Sequence, residues 1–166
     1  KSMLVRASGM RDHLTPREAM SLDTLLARFG PVPDLLAQWR RLIDMYPDLL
    51  PARFGYAQDG WMMANPYREV IPHAKGSSPP QSAHYAKGPY VEGMLELGEE
   101  RYPQAIAAFA NARHKGYKGA GHAYAYAFEA QRDYAGADRI FASRGGTHLI
   151  DRELEELEYR FPMAVD

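Results

Sequence analysis

Cysteine is missing from all 166 residues of the sequence, which excludes disulfides, thiolate metal sites and cysteine nucleophiles. Long apolar runs are missing too, because no segment approaches the roughly 20 residues that a membrane-spanning helix needs. No apolar segment follows Lys1 as it would in a secretory signal. We therefore expect no direct insertion into a membrane, while the subcellular location stays open.

The chain also has almost no net charge. Lys and Arg number 20 against 21 Asp and Glu, so no overall field attracts it to nucleic acid or anionic lipid. Hydrophobic residues make up 46% and charged residues 25%, which is typical of a folded globular chain. Arg outnumbers Lys and Ala is abundant, which favours a bacterial source, and the start at Lys1 is what we expect of a piece of a longer polypeptide.

Local catalytic motifs are equally scarce. The sequence has no Gly-x-Ser-x-Gly elbow, no phosphate-binding glycine loop and no His-x-x-x-His or His-Glu-x-x-His pattern. We therefore expect no catalytic residues, no metal and no cofactor. The alternative that stays open is an enzyme whose site combines residues from separate helices, such as His84, His114, His122 and His148.

One stretch of the sequence occurs twice. Residues 102–109, YPQAIAAF, return as residues 134–141, YAGADRIF, at an offset of 32 residues. Gly93 corresponds to Ala125 at the same offset. A fixed period of this size indicates helical hairpins that bury their apolar faces against neighbouring hairpins. We predict an all-α fold, and no alternating pattern in the sequence predicts a strand.

The two copies resemble the tetratricopeptide repeat, which combines a small residue in its first helix with Ala-x-x-x-Phe in its second. Gly93, Ala105 and Phe109 match that pattern. The resemblance covers about two repeats, residues 86–149, and it is divergent, since Pro89 stands where the family prefers Trp. A related helical repeat is the alternative. The resemblance implies antiparallel hairpins stacked as a short solenoid, with the first helix of each pair lining a concave groove.

The sequence predicts three parts. Residues 1–72 form an N-terminal helical segment, with a helix start at Thr15. Residues 73–83, rich in Gly, Ser and Pro, read as a linker. Residues 84–166 hold the two hairpins and a terminal capping helix over about 147–161, whose narrow apolar stripe suits the end of a repeat array.

Groove positions follow from the resemblance. Transferred through the match of Gly93 to Ala125, they are Lys87, Tyr90, Met94, Leu97, His122, Tyr126 and Glu129. Tyr and Met suit recognition because both offer a large contact area. The alternative is that Tyr90, Met94 and Tyr126 pack against the preceding N-terminal helices.

A basic turn is the second candidate site. Arg113, His114, Lys115 and Lys118 could bind an anion, although cations at a helix C-terminus also complement the helix dipole. From these features we expect a non-catalytic protein–protein interaction or scaffold module that binds a peptide or a partner helix. Two alternatives remain: the enzyme described above, and an assembly or regulatory domain of a larger polypeptide, because two repeats are fewer than such arrays usually need. The oligomeric state is open.

Overall fold

The computed structural model describes residues 2–63 and 67–143, and every regular element within them is helical. The α-helices of these residues are α1 (Ser2–Ser8), α2 (Pro16–Ala27), α3 (Val32–Met45), α4 (Leu50–Met62), α5 (Tyr67–Gly76), α6 (Lys87–Gly98), α7 (Tyr102–His114), α8 (Gly121–Ala130) and α9 (Tyr134–Ala142). The predicted capping helix over 147–161 lies outside the described residues.

Local capping explains where two of these helices begin. The Thr15 hydroxyl accepts from the Glu18 amide at 3.3 Å, and the Glu18 carboxylate accepts from the Thr15 amide at 2.8 Å. The Asp133 carboxylate accepts from the Gly136 amide at 2.8 Å and so begins α9. Each contact satisfies an amide that lacks a partner within its helix. The start at Thr15 is confirmed as the sequence predicts it.

Consecutive helices pack against one another along the whole series from α1 to α9, and α4 also contacts α6. The buried side chains form two apolar clusters, one centred on α3, α4 and α5 and the other on α6, α7 and α8. Trp61 and Tyr90 contact both clusters and so join them. The all-α prediction is confirmed for the described residues, while the specific tetratricopeptide-like stacking stays a prediction.

The period of the sequence is also present in the backbone. Glu100 (φ 58°) and Arg132 (φ 62°), which lie 32 residues apart, both adopt the left-handed conformation between paired helices. In each turn the next amide donates to a carbonyl five residues earlier, at 2.9 Å from Arg101 and 3.0 Å from Asp133. This is the hydrogen bond that closes a Schellman turn. The α6–α7 and α8–α9 pairs are therefore joined by the same turn.

Small residues let the paired helices approach closely. Ala105 is 0% exposed and Ala137 is 1% exposed, so the repeated alanine is buried in both copies. A Cβ atom added to Gly93 would lie 2.5 Å from the Phe109 ring. The neighbouring helix therefore already fills the space beside these small side chains.

We expect that replacing Ala105 or Ala137 with leucine lowers the free energy of unfolding by about 1 to 3 kcal/mol, because three added carbons overpack a filled contact. Urea denaturation followed by circular dichroism measures the change. Ala107 lies on the same helix as Ala105 but is exposed, so Ala107→Leu is the control and should change stability by less than about 0.5 kcal/mol. Unchanged midpoints at both repeat positions would contradict the burial of the repeated alanine at these helix contacts.

The segment predicted as a linker is packed at its start. Residues 73–76 form the last turn of α5, and Ser77 is 0% exposed. The Ser77 hydroxyl donates to the Ala74 carbonyl at 2.8 Å, and the Ser82 hydroxyl donates to the Ser77 carbonyl at 2.7 Å. The expectation that this segment has little to pack against is therefore wrong at Ser77. The division of the chain into domains at 73–83 stays a prediction.

Candidate functional site

Among the predicted groove residues, the most exposed is Tyr126 on α8, at 58%. The helical spacing places His122 one turn before it and Glu129 one turn after it on the same face, and both are half-buried. The alanines that alternate along this helix are 0 to 1% exposed: Ala123, Ala125 and Ala127. Helix α8 thus buries its small residues and presents a face that we call the α8 face: His122, Tyr126 and Glu129.

The neighbouring aromatic residue of α8 points the other way. Tyr124 is half-buried, with its ring 6.2 Å from Phe109 on α7 and 5.3 Å from Phe128. Tyr124 faces an adjoining helix, because residues two positions apart on a helix diverge by about 200° and Tyr126 faces solvent. The alternation of small and aromatic residues in this stretch is therefore compatible with a helix.

Tyr90 and Met94, by contrast, pack inside the protein. The Tyr90 ring lies 5.9 Å from Trp61, 6.0 Å from Phe109 and 4.8 Å from Tyr117. Met94 is only 7% exposed and belongs to the second apolar cluster. This burial agrees with the packing alternative for these two side chains, and we leave both out of the contact surface.

The remaining predicted groove residues lie on α6. Lys87 is at the seam with α4, where its Nζ atom lies 3.5 Å from the Gln58 amide oxygen and 5.4 Å from the centre of the Phe54 ring. Leu97 is half-buried against the second apolar cluster. Of the predicted set, the α8 face is therefore the part that presents a large exposed side chain.

An open pocket of about 510 Å³ lies at the turn between α7 and α8, lined by Arg113, Gly116, Tyr117, Lys118 and Gly121. Two of the predicted anion-binding residues, Arg113 and Lys118, therefore share this pocket. Lys115 is directed elsewhere, since its Nζ atom lies 4.2 Å from the centre of the Tyr85 ring. His114 is exposed and does not line the pocket.

A third group of polar residues, which the sequence did not single out, joins α3, α4 and α5. The Tyr56 hydroxyl donates to Glu69 Oε1 at 2.6 Å, and the Arg40 guanidinium pairs with the same oxygen. These donors lower the pKa of Glu69, the Tyr56 hydrogen bond most. Because that oxygen accepts from Arg40 on α3 and Tyr56 on α4, this carboxylate joins three helices. Its lowered pKa makes it a weak proton acceptor.

His73 lies beside this group, with its ring edge-on to Tyr56 at 5.0 Å between centres. Burial, and then the charge of Arg53, lower the pKa of His73. The spacing of Glu69 and His73, four residues apart on α5, is the sequence signal that could have indicated this cluster. It brings together a histidine and a carboxylate, as the enzyme alternative requires, but their contacts fit a structural role.

Since the fold favours neutral His73, the unfolded chain binds a proton there more readily. This contribution to stability is complete above the ordinary histidine pKa of about 6.5 and is lost as the pH falls from there through the lower pKa of the folded state. We expect His73→Gln to flatten the pH dependence of the melting temperature in that range. His84, whose pKa burial and Lys87 also lower, should leave a residual slope. The exposed His13→Gln is the control, and an unchanged slope in His73→Gln would contradict the assignment.

Two buried carboxylates were also missed by sequence reasoning. The Asp59 side chain is 4% exposed and accepts from Arg28 at 2.8 Å and from the Trp39 indole at 2.6 Å. The Glu96 side chain is 2% exposed and lies 2.6 Å from the Arg101 guanidinium. Asp59 is a lone acid within an apolar stretch of α4, which is a weak signal, and its partners are distant in the sequence. Glu96 follows Glu92 by four residues on α6, and its partner Arg101 comes five residues later.

Within the described residues, no group of three or more histidines and carboxylates comes together to hold a metal ion. His148, one of the four histidines named for the enzyme alternative, lies outside the described residues. The described helices are all too short or too polar to cross a bilayer.

No protein-family model matches the chain, and no curated protein or solved structure matches it either. The tetratricopeptide resemblance therefore remains an interpretation of the repeated residues. Function has to be argued from the side chains of this protein.

Proposed function

We propose that the protein is a non-catalytic interaction module that binds a peptide or a helix of a partner protein on the α8 face. The observation that carries the proposal is the exposure of Tyr126, 58% on a helix whose alternating alanines are buried. The scaffold therefore fixes the backbone of α8 while leaving one large side chain available.

A single exposed aromatic is common on protein surfaces and is weak evidence by itself. Tyr126 is more informative because the half-buried His122 and Glu129 flank it along the same helix face. An apolar centre between polar neighbours is the usual anatomy of an interaction surface. A tyrosine ring also offers contact area at a modest cost in side-chain entropy, and its hydroxyl can bond to a partner's backbone.

Rigid support favours tight binding because little order has to be created when the partner docks. The Tyr124 side chain holds α8 against α7 through Phe109, 6.2 Å away. Helix α8 ends in the Schellman turn at Arg132, which fixes the angle between α8 and α9. The partner would therefore meet a preformed helix face.

Selection of a displayed library of random short peptides on the immobilised protein tests the proposal. We expect enriched peptides with an apolar centre. Fluorescence anisotropy with the synthetic peptides should show that Tyr126→Ala weakens binding by about 2 kcal/mol, or roughly 30-fold, as for a central aromatic anchor. The thermal stability of the variant should be nearly unchanged, because the ring is exposed.

The matched control is Tyr134→Ala, since Tyr134 on α9 is also 58% exposed but lies off the α8 face. It should leave the affinity unchanged. Equal losses in both variants, or enrichment of no peptide at all, would argue against the α8 face. Formation of a dimer that Tyr126→Ala disrupts would favour the alternative of an assembly domain.

A further inference from the structure

We infer that the pocket between α7 and α8 receives a carboxylate of an acidic side chain in the bound partner, with Arg113 and Lys118 as its cationic contacts. This inference rests on the proposed function, because it names a chemical group of the same partner. It starts from the composition of the pocket, whose lining residues include two cations and no carboxylate.

The Arg113 side chain is held in place from two sides. Its Nη2 atom donates to the Ser143 hydroxyl at 3.0 Å, and its guanidinium carbon lies 5.8 Å from the centre of the Tyr124 ring. A guanidinium carries five donors in a planar fork, so one bond to a hydroxyl leaves other donors for a ligand. Because the side chain is already ordered, binding costs less entropy than it does at a free surface arginine.

Lys118 supplies a second positive charge, and its side chain is exposed to solvent. Lys115 of the same basic turn, by contrast, lies over the Tyr85 ring at 4.2 Å. The positive charge in this region is therefore concentrated on one side of the turn. Since the whole chain has a net charge of −1, this local charge fits one acidic group better than an extended polyanion.

Tyr117 gives the pocket an apolar wall. Its half-buried ring packs against Tyr90, 4.8 Å between centres, and so has a fixed position. Gly116 (φ +90°) has no neighbouring atom within 4 Å of the place where a Cβ would be, so its side of the pocket is open. A glutamate suits these features, because its methylene groups can lie on the ring while its carboxylate reaches the cations.

The pocket is not fixed at one spacing from the α8 face. Arg113 lies over the Tyr124 ring, and Tyr124 and Tyr126 diverge by about 200° around the helix. The acidic residue therefore has no set distance along the partner from the residue that contacts Tyr126.

The test uses the peptides enriched on the full chain. We expect them to carry an acidic residue, and changing it to its amide should weaken binding to the wild-type protein at least about fivefold. When the protein carries Lys118→Ala, the same acid-to-amide change in the peptide should weaken binding by less than about twofold, because Lys118 no longer interacts with the carboxylate. In Lys115→Ala, the matched control from the same turn, the fivefold effect should persist.

Two results would overturn the inference while leaving the proposed function intact. One is a set of peptides that depends on Tyr126 but lacks an acidic residue. The other is an acid-to-amide effect of equal size in wild type, Lys118→Ala and Arg113→Gln. Circular dichroism shows whether Arg113→Gln, which loses the bond to Ser143, keeps the wild-type fold. If it does not, the comparison of wild type with Lys118→Ala alone decides the test.

The pocket can also be tested when no peptide is enriched. At low ionic strength, a fluorescein-labelled tetraglutamate amide should bind wild type and Lys115→Ala saturably, and Lys118→Ala at least about fivefold more weakly. Absence of binding, or equal binding to all three proteins, would overturn the inference. Equal competition by inorganic phosphate would identify a general anion site instead, and Lys118-dependent binding to phosphatidylserine vesicles would identify a lipid surface.

Discussion

Replacing Phe109 with alanine should lower the free energy of unfolding by about 3 to 5 kcal/mol, the largest single loss that we expect in the α6–α8 region. Phe109 is 0% exposed, and its ring centre lies 6.0 Å from Tyr90 and 6.2 Å from Tyr124. Removing the ring forfeits its burial and leaves a cavity that these aromatic neighbours cannot close by small movements.

Urea denaturation followed by circular dichroism measures this change. Phe29→Ala is the control, because Phe29 is 56% exposed and its truncation should cost less than about 1 kcal/mol. Gly93 offers a second check, since a Cβ there would lie 2.5 Å from the Phe109 ring. Gly93→Ala should destabilise the wild type but cost less in Phe109→Leu, where the clash is relieved. Independent effects of the two substitutions would contradict the α6–α7 contact.

Replacing Arg28 with methionine should cost about 3 kcal/mol, because it leaves the Asp59 carboxylate buried without its cation. The Asp59 side chain is 4% exposed, and Arg28 contacts both of its oxygens, at 2.8 and 3.0 Å. After the change, the Trp39 indole is the remaining donor to that carboxylate among the contacts described. A single hydrogen bond offsets only part of the cost of desolvating a charge.

The matched control is Arg17→Met. Arg17 pairs with Asp48 at 3.3 Å, but the Asp48 side chain is 72% exposed, so water replaces the lost partner and the change should be within about 1 kcal/mol. Denaturation midpoints of the two variants give the comparison. Equal midpoints would mean that the buried pair contributes no more than a surface pair. If burial of the unpaired Asp59 charge causes the loss of stability, the double variant Arg28→Met/Asp59→Leu should be more stable than Arg28→Met.

The helices and their starts could be predicted from the sequence because the signals are local. The Thr15 hydroxyl and its acceptor partner Glu18 lie three residues apart, and so do Asp133 and Gly136. Contacts at such short separation depend little on the rest of the fold. The same holds for the repeat, whose period appears again in the left-handed turns at Glu100 and Arg132.

The burial of individual side chains could not be predicted in this way. Met94 and Tyr126 occupy equivalent positions, 32 residues apart, yet they are 7% and 58% exposed. Helix α6 packs against α4, α5 and α7, whereas the described neighbours of α8 are mainly α7 and α9. A repeated residue therefore becomes interior or surface according to the place of its helix in the series, which the residue itself does not encode.

The burial of polar residues could not be predicted from the sequence for a related reason. The serines of residues 73–83 suggest a solvated linker by composition, yet Ser77 is buried because its hydroxyl donates to the Ala74 carbonyl at the end of α5. Asp59 and Arg28 lie 31 residues apart, so their pairing depends on how α2 and α4 meet. Long-range pairings of this kind are absent from any local pattern.

The matching turns at Glu100 and Arg132 make residues 101–132 a module whose two ends have the same backbone geometry. A copy of this unit could therefore follow it along the chain without a change in the geometry of either turn.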